Sequence, residues 1–436
     1  MKGVLPMKIL PQFRMFDQTQ NEEILGDLER LERVLENIPD GKLIYKLNNI
    51  RGKGRDDWPI VSMWNAAIAG IVFQHTNDSE LLRELNRNSQ LRDICGFSPR
   101  VMKTEKGEYK IYVAPSPSAY SRFIKNLKEY CEEELDEIFE YLVKYMYENI
   151  EDFGEELALD GKAIKSYATT YSKKTKEDGR RDTDANWGVK KYTESTNEKG
   201  EKVVKKVSWF GYEVHLIVDV KYELPVAYEV TQASKSEIVE GKKILKAMHE
   251  EQLERCNHLM ADKGYDDTKL IEYLEKKDIA AIIDIRNQWK DGEKTKQYKD
   301  TDIVYTYDGK VYYIDDNGKE IKLRYLGYDK SSNSLRYGFY PQYNDNRIFR
   351  ISCDTDKRIF VRVARDSRKW ERLYKKRTSV ERVNGRIDRD YQFEDHTIRG
   401  LKKMKLYITT SFIAMLAMAK SKIEENNMEH LAALIS

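Results

Sequence analysis

Three acidic residues, Asp160, Asp262 and Glu381, stand where a folded sheet and a neighbouring helix could bring carboxylates together. They are 102 (262 − 160) and 119 (381 − 262) residues apart, so only tertiary folding could join them. Carboxylates held close together repel one another unless cations neutralise them. Hard oxygen donors suit Mg²⁺ or Mn²⁺, and two such ions about 3.5–4 Å apart support phosphoryl transfer. The three residues therefore predict a two-metal phosphoryl-transfer site.

Each acid also has an interpretation that involves no chemistry. Asp160 precedes a glycine and could be a turn residue. Asp262 could cap the turn at 263–267. Glu381 could form a surface ion pair with Arg377, four residues earlier on the same helix. Residue type leaves these alternatives open, and the joint fit of the acids to one topology favours the site.

The third acid belongs to segment 365–389, which has no Gly or Pro before Gly385. We predict one helix here, with Asp366 or Ser367 as its N-cap. Helical spacing places six residues on one face: Trp370, Tyr374, Arg377, Glu381, Asn384 and Asp388. Residues 346–389 contain 15 Lys+Arg and 6 Asp+Glu, a net of +9 (15 − 6), whereas the whole chain is +2. Such a surface attracts phosphate groups, and a carboxylate within it is consistent with a bound cation.

The elements that must position these acids begin near residue 156. We predict strands at 156–160, 202–209, 212–220, 258–262 and 279–285, with a short additional strand at 224–231, helices at 236–254 and 268–277, and a loop at 172–201. Three meandering strands followed by βαβ units give a mixed five-stranded sheet with helices on its faces. This mixed α/β (α+β) order is shared with the ribonuclease H-like fold. Sites in open α/β sheets lie at the carboxyl ends of strands, where Asp262 falls.

The remaining sequence predicts three further parts. Before the core, the chain has helical periodicity with a predicted loop at 96–117. After the first part of the core, alternating aromatic residues and turn pairs indicate an all-β insertion. The predicted boundaries are 1–155 for the N-terminal helical domain, a DNA-binding candidate, 156–286 for the first part of the core, 287–362 for the insertion, and 363–436 for the second part of the core with the Glu-bearing helix and a C-terminal helix.

Composition narrows the class of protein. With 40% hydrophobic and 34% charged residues, the 436-residue chain is globular in character. Lys+Arg (76) nearly balance Asp+Glu (74), which excludes a uniformly basic coat for nucleic acid, so binding must rely on local patches. The four cysteines are scattered without a CxxC pair, which favours neither a zinc site nor a disulfide scaffold. The longest apolar run, 406–419, is too short to span a bilayer and predicts a buried helix. We expect a cytoplasmic, nucleoid-associated protein with no membrane partner.

Five sequence blocks resemble bacterial insertion-sequence DDE transposases. Four lie in the core: LALDGKAIK, GYEVHLIVDVKYELPVAYEVTQA, HLMADKGYDD and YKKRTSVERVNGRI. The fifth, WPIVSMWNAAIAGIVFQHTNDSELLREL, is similar to the helical domain that precedes the core in these enzymes. Tyr374, Arg377 and Glu381 match the Y-x2-R-x3-E signature, the most specific of these motifs. The resemblance covers about residues 156–419 of the core, and the β-rich insertion is also a feature of this branch.

The resemblance implies roles for individual residues. Asp160, Asp262 and Glu381 would form the metal-binding triad for two Mg²⁺ or Mn²⁺ ions, and Tyr374 and Arg377 would support the site and contact DNA. The signature usually continues with a Lys seven residues after the Glu, but this chain has Asp388 there. That departure puts a DNA-contacting role for the position in doubt, although flanking Arg386 or Arg389 could take it over.

Four further residues have predicted DNA contacts on physical grounds. Lys162, Lys165 and Lys263 lie beside the two aspartates in sequence and could bind phosphate, with plain surface lysines as the alternative. Trp370 could stack on an unpaired base or pack between helix and insertion.

The predicted function is a DNA transposase. Such an enzyme would bind terminal inverted repeats, cleave a strand, and join the freed 3′-OH to target DNA, with a homodimer expected in the synaptic complex. Two other interpretations stay open: a non-catalytic DNA-binding protein derived from a transposase, and a ribonuclease H-like nuclease of another type.

Overall fold

The computed structural model describes residues 27–52, 58–103, 107–170, 182–196 and 202–434. The first part of the chain is helical: α1 (Asp27–Asn37), α2 (Gly41–Arg51), α3 (Ile60–Val72), α4 (Asp78–Arg87), α5 (Ser89–Cys95), α6 (Pro117–Tyr130) and α7 (Glu132–Asn149). Between α5 and α6 an antiparallel hairpin pairs β1 (Arg100–Lys103) with β2 (Tyr109–Tyr112). The prediction of a plain loop at 96–117 is therefore wrong, because two short paired strands lie within this range.

The core is one mixed sheet flanked by helices. Its elements are β3 (Glu156–Lys165), β4 (Asn186–Thr196), β5 (Lys202–Asp219), β6 (Pro225–Gln232), α8 (Glu237–Ala247), α9 (Glu250–Arg255), β7 (His258–Ala261), α10 (Thr268–Lys276) and β8 (Ala280–Ile283). The order β6-β5-β3-β7-β8 has three antiparallel strands followed by two parallel to β3. This order confirms the predicted ribonuclease H-like fold.

Three details of the sheet differ from the prediction. The strands predicted at 202–209 and 212–220 form the single long strand β5, and β4 lies inside the predicted loop at 172–201. The first half of β5 pairs with β4, so the sheet has six strands among the described residues. The charged composition of β4 concealed a strand whose pairing is set by its partner. Strand β3 continues to Lys165, so Asp160 lies within a strand and is not a turn residue.

The insertion forms two small antiparallel sheets around its own core. Its strands are β9 (Lys296–Gln297), β10 (Ile303–Tyr305), β11 (Val311–Ile314), β12 (Glu320–Lys322), β13 (Arg324–Asp329), β14 (Ser334–Gly338) and β15 (Ile348–Ser352), in the orders β12-β11-β10-β9 and β13-β14-β15. Buried Arg365 donates to the carbonyls of Ile359 and Ile283, both at 3.0 Å. This residue therefore ties the end of the insertion to the core strand β8.

The predicted helix at 365–389 is two helices, α11 (Arg368–Lys375) and α12 (Thr378–Arg389). Ser367 caps α11 by accepting a hydrogen bond from the Trp370 amide at 3.1 Å, as one of the two predicted caps. At the joint, the amides of Lys376 and Arg377 donate to carbonyls three residues back. The Thr378 hydroxyl donates a hydrogen bond to the Lys375 carbonyl oxygen at 3.1 Å. This side-chain bond competes with the backbone hydrogen bonds of a continuous helix.

The last helix, α13 (Leu401–Glu424), joins the N-terminal helices to the sheet. It packs against α1, α3, α6, α7 and β6, as predicted for a buried helix. Its Phe412 lies 5.0 Å from Tyr228 of β6 and 6.3 Å from Phe139 of α7, measured between ring centroids. Among the described residues, no helix has the length and apolar character needed to cross a membrane.

Candidate active site

Asp160 and Asp262 lie side by side at one edge of the parallel part of the sheet. Strands β3 and β7 run parallel, with Leu159 opposite Ala261. The residues that follow these two in sequence are Asp160 and Asp262. Neighbouring strands are about 4.8 Å apart. The register alone therefore brings together two carboxylates that are 102 residues apart in sequence (262 − 160).

The turn after β7 fixes the Asp262 side chain. Its Oδ1 accepts a hydrogen bond from the Gly264 amide at 2.7 Å and caps a short 3₁₀ turn, so the capping alternative is true of this residue. A Cβ on Gly264 would lie 2.7 Å from the same oxygen. Glycine is required here because any larger residue would displace the carboxylate.

Both aspartates are costly to ionise where they lie. Burial raises the pKa of Asp160 to about 6, partly opposed by the positive charge of Lys190, and the nearby Asp262 raises it further. Burial likewise raises the pKa of Asp262, opposed by its bond from Gly264. Two half-buried carboxylates that repel one another form a site that a cation would stabilise.

A cluster of charged side chains, of which Glu213 is buried and Lys190 and Glu237 are partly buried, surrounds the carbonyl of Gly161. Lys190 of β4 donates to this carbonyl at 3.1 Å and pairs with Glu237 at 2.5 Å and Glu213 at 3.3 Å. Burial alone would lower the pKa of Lys190, but the negative charges of Glu237 and Glu213 outweigh burial and raise this pKa. A Cβ on Gly161 would lie 2.8 Å from Glu213 Oε1 and 3.0 Å from Glu237 Oε1. The cluster therefore depends on the glycine that follows Asp160.

The sequence analysis did not identify this cluster. Lys190 falls in the stretch predicted as a loop, and its partners belong to β5 and α8. The signal that could have been used was the glycine directly after Asp160 within a strand, since such a glycine marks a close approach by other groups.

Glu381 does not join the aspartate pair. It lies on the exposed face of α12, and its carboxylate accepts a hydrogen bond from Arg377 Nη2 at 2.5 Å. Burial raises the pKa of both Asp160 and Asp262, and the Arg377 charge is among the groups that oppose this rise. The interpretation of Glu381 as one half of a surface ion pair with Arg377 therefore describes its contact in this structure.

Asn384, one turn beyond Glu381, is the α12 residue that contacts the pair. Its Nδ2 donates to Asp160 Oδ2 at 3.2 Å. The sequence analysis placed Asn384 on the same helix face but gave it no role. A neutral amide on such a face has no distinguishing sequence signal.

The two aromatic residues of α11 stack on one another. The Trp370 and Tyr374 rings are 4.6 Å apart and 11° from parallel, and Arg377 lies 5.8 Å from the Tyr374 ring centre. Burial raises the pKa of Tyr374. Trp370 packs against the main core and its indole N–H is buried without a described partner. The helix therefore presents a continuous row from indole to guanidinium beside the aspartates.

The predicted basic contacts differ in their surroundings. Lys165 and Lys263 are both exposed. Lys263 directly follows Asp262, whereas Lys165 lies at the far end of β3, roughly 16 Å from Asp160 at the rise of an extended strand. Lys162 of β3 forms an ion pair with Asp388. Asp388 stands where the resemblance expects a lysine, so this position binds a lysine instead of supplying one. Arg386 forms an ion pair with Glu223.

The donor set at the pair is consistent with a hard divalent cation. Among the described residues, no three His, Cys, Asp or Glu side chains are grouped closely enough to hold a metal ion. The oxygen donors are the two aspartates and Asn384 Oδ1, which is buried and has no described hydrogen-bond partner. Carboxylate and amide oxygens are ligands that Mg²⁺ and Mn²⁺ accept. Glu381 would complete the set by exchanging Arg377 for the cation.

Comparison with known proteins gives one family match. The family described as a transposase DDE domain matches residues 152–417, which is 266 (417 − 152 + 1) of 436 residues. No curated protein matches the chain in sequence. One similar solved structure is a cryo-EM structure of the piggyBac transposase synaptic complex with hairpin DNA. It has 10% identity and a TM-score of 0.36, covering 94% of this chain and 80% of that chain, and such a distant likeness supports no further inference.

Proposed function

Because the chain belongs to the transposase DDE domain family, we propose that it cleaves the ends of a mobile DNA element and joins the freed 3′-OH to target DNA. The observation that carries the proposal is the β3–β7 register, which puts Asp160, inside β3, next to Asp262, the residue that follows β7. In cleavage, a water oxygen attacks the phosphorus and the 3′ oxygen leaves as the 3′-OH. In joining, that 3′-OH attacks a target phosphodiester and the target strand's own 3′ oxygen leaves, so neither step needs a covalent enzyme intermediate.

Asp160, Asp262 and Glu381 would hold two Mg²⁺ or Mn²⁺ ions. When bound, such ions supply activation of the attacking oxygen and stabilisation of the leaving oxygen. Release of Glu381 from Arg377 would free a carboxylate for the cations and a guanidinium for a DNA phosphate. A guanidinium binds phosphate through two parallel hydrogen bonds, which would orient the scissile strand against the aspartates.

Other residues of this edge would position the DNA. Exposed Lys263, next to Asp262, and exposed Lys165, farther along β3, would bind phosphates. The stacked Trp370 and Tyr374 rings offer a surface for an unpaired base near the cleaved end. Lys162 and Arg386 would contact DNA only after leaving Asp388 and Glu223.

The N-terminal helices, 27–149 in the described part, would recognise the terminal inverted repeats. Two copies of the chain would hold the two ends of the element together. This assignment predicts that the paired ends, not a single end, are the substrate for joining.

The test uses a DNA duplex carrying the inverted repeats that flank the coding sequence. Wild-type protein should nick it with Mg²⁺, whereas Asp160→Ala, Asp262→Ala and Glu381→Gln should abolish nicking and retain DNA binding. Glu371→Gln is the matched control, because Glu371 pairs with Lys375 at the same four-residue spacing on α11 and is exposed. Full Mg²⁺-dependent nicking by any of the three variants would overturn the proposed site.

The same assay separates the alternatives. Wild-type protein that binds the repeats and never nicks them with Mg²⁺ or Mn²⁺ would indicate a non-catalytic DNA-binding protein. Nicking without joining of the 3′-OH to a second duplex would indicate a nuclease of another type.

A further inference from the structure

Asn384 contains a buried polar atom that the fold leaves unsatisfied. The residue is only 9% exposed, and its Nδ2 donates to Asp160 Oδ2 at 3.2 Å. Its Oδ1 is buried, and no group among the described residues donates to it. Leaving a buried acceptor unpaired costs about 1–3 kcal/mol. Such an atom in a native site therefore calls for a ligand or a water that binds it.

The position of this oxygen links it to the aspartate pair. Both amide atoms are attached to one carbon, so Oδ1 lies close to the carboxylate that Nδ2 contacts. Helix α12 is held in place there by its packing on β3 and β5 through Val380, Val383 and Ile387, which are fully buried. The packing of α12 therefore holds the Asn384 amide beside Asp160.

We propose that Asn384 is an additional oxygen ligand for the divalent cation at the Asp160–Asp262 pair, an inference that rests on the proposed function. Half a turn of the amide exchanges its oxygen and nitrogen without altering its shape. The amide donates to Asp160 when no cation is present and turns its oxygen to the cation when one binds. Side-chain amide oxygens are accepted ligands of hard divalent cations.

The proposal gives α12 two ligands one turn apart, Glu381 and Asn384. Asn384 already contacts Asp160, whereas Glu381 is held by Arg377. The first cation would thus be bound by the aspartates and the amide, before Glu381 leaves its arginine. Metal binding without DNA should then depend strongly on Asn384 and weakly on Glu381.

The test measures Mn²⁺ affinity of the full chain by electron paramagnetic resonance of free Mn²⁺, without DNA. Asn384→Ala should weaken binding about tenfold or more, and Asn384→Asp, which keeps an oxygen at the same position, should restore it. Asn65→Ala is the matched control, because Asn65 is also a buried asparagine but donates to the Cys95 carbonyl in the N-terminal helices. Thermal unfolding of each variant verifies the fold.

A thiol at the same position gives a direct readout of coordination. Asn384→Cys should develop a thiolate-to-metal ultraviolet band with Cd²⁺, because soft ions favour sulfur ligands. The four native cysteines are all buried, so wild-type protein provides the baseline. A Cd²⁺ spectrum identical to that of wild type would overturn the inference.

The outcomes distinguish this inference from the proposed function. Mn²⁺ binding that Asp160→Asn abolishes and Asn384→Ala leaves unchanged would overturn the ligand role of Asn384 alone. Wild-type protein that binds no Mn²⁺ and does not nick the repeats would overturn both.

Discussion

At the turn after β7, Gly264 lies so close to the Asp262 carboxylate that a side chain at this position would collide with it. We expect Gly264→Ala to push this carboxylate away, since the added Cβ would lie 2.7 Å from Oδ1. A displacement of about 1 Å at a reacting centre costs about a hundredfold in rate, so nicking should fall by about that factor. Rates of Mg²⁺-dependent nicking measure the effect.

Gly385→Ala is the control for this substitution. Gly385 lies in the middle of α12, and a Cβ there would meet nothing within 4 Å. Alanine in a helix interior is more stable than glycine by about 0.5–1 kcal/mol, so this variant should unfold at a slightly higher temperature. Equal nicking rates for Gly264→Ala and wild type would contradict the steric argument.

Glu213 makes the stability of the sheet depend on pH. Burial raises the pKa of this carboxyl to about 8 in the folded protein, opposed by Lys190. The folded state therefore keeps the proton to a higher pH than the unfolded chain does. The stability from this group is fully present below the unfolded pKa and is lost as the pH rises towards 8. Each pH unit in that window costs up to about 1.4 kcal/mol.

Glu213→Gln tests this dependence. Glutamine is uncharged at every pH, so the unfolding temperature of the variant should decline less between pH 5 and pH 8 than that of wild type. Calorimetry across that range measures the difference. Parallel curves for the two proteins would show that Glu213 is already ionised in the fold.

Among the elements, the insertion is joined to the site by one buried ion pair. Arg358 binds both oxygens of Asp266 at 3.0 and 2.6 Å, four residues after Asp262, and the Asp266 side chain is 0% exposed. Arg358→Ala would leave the Asp266 carboxylate buried without its positive partner, although the Arg286 backbone amide would still donate a hydrogen bond to it. Breaking a buried pair costs about 3–5 kcal/mol, which chemical denaturation can measure.

Arg350→Ala is the control within the same insertion. Arg350 pairs with Asp329 on the surface, and its side chain is 53% exposed. Exposed pairs contribute about 0–1 kcal/mol, so this variant should be nearly as stable as wild type. A similar loss for both variants would mean that the Arg358 pair is not a special connection.

At the scale of the whole molecule, α13 makes the N-terminal helices and the sheet parts of one core. Phe412 is fully buried between Phe139 of α7 and Tyr228 of β6. Phe412→Ala should destabilise the protein by about 3–5 kcal/mol because it opens a cavity at this junction. We expect the far-ultraviolet circular dichroism and the tryptophan fluorescence of the chain to report one shared transition, shifted to lower temperature. Separate transitions would show that the two regions fold independently.

The prediction from sequence succeeded where local pattern and topology agree. Alternating or continuous apolar residues located β3, β6, β7 and β8, and the order of strands and helices gave the ribonuclease H-like sheet. It failed at β4, whose polar composition matches a loop and whose pairing depends on the first half of β5. It also failed at the joint between α11 and α12, where a side-chain hydroxyl competes with the helical ladder.

The sequence by itself determined the family signature, the basic surroundings of Glu381 and the location of Asp160 and Asp262 in or directly after core strands, because residue type and spacing carry this information. Only the tertiary structure decided which groups meet. The parallel register pairs Asp160 with Asp262, and the packing of α12 brings Asn384 to Asp160 while Arg377 holds Glu381. Lys190 joins the site from a strand with no sequence signal. These contacts follow from register and packing between distant segments, which no local pattern records.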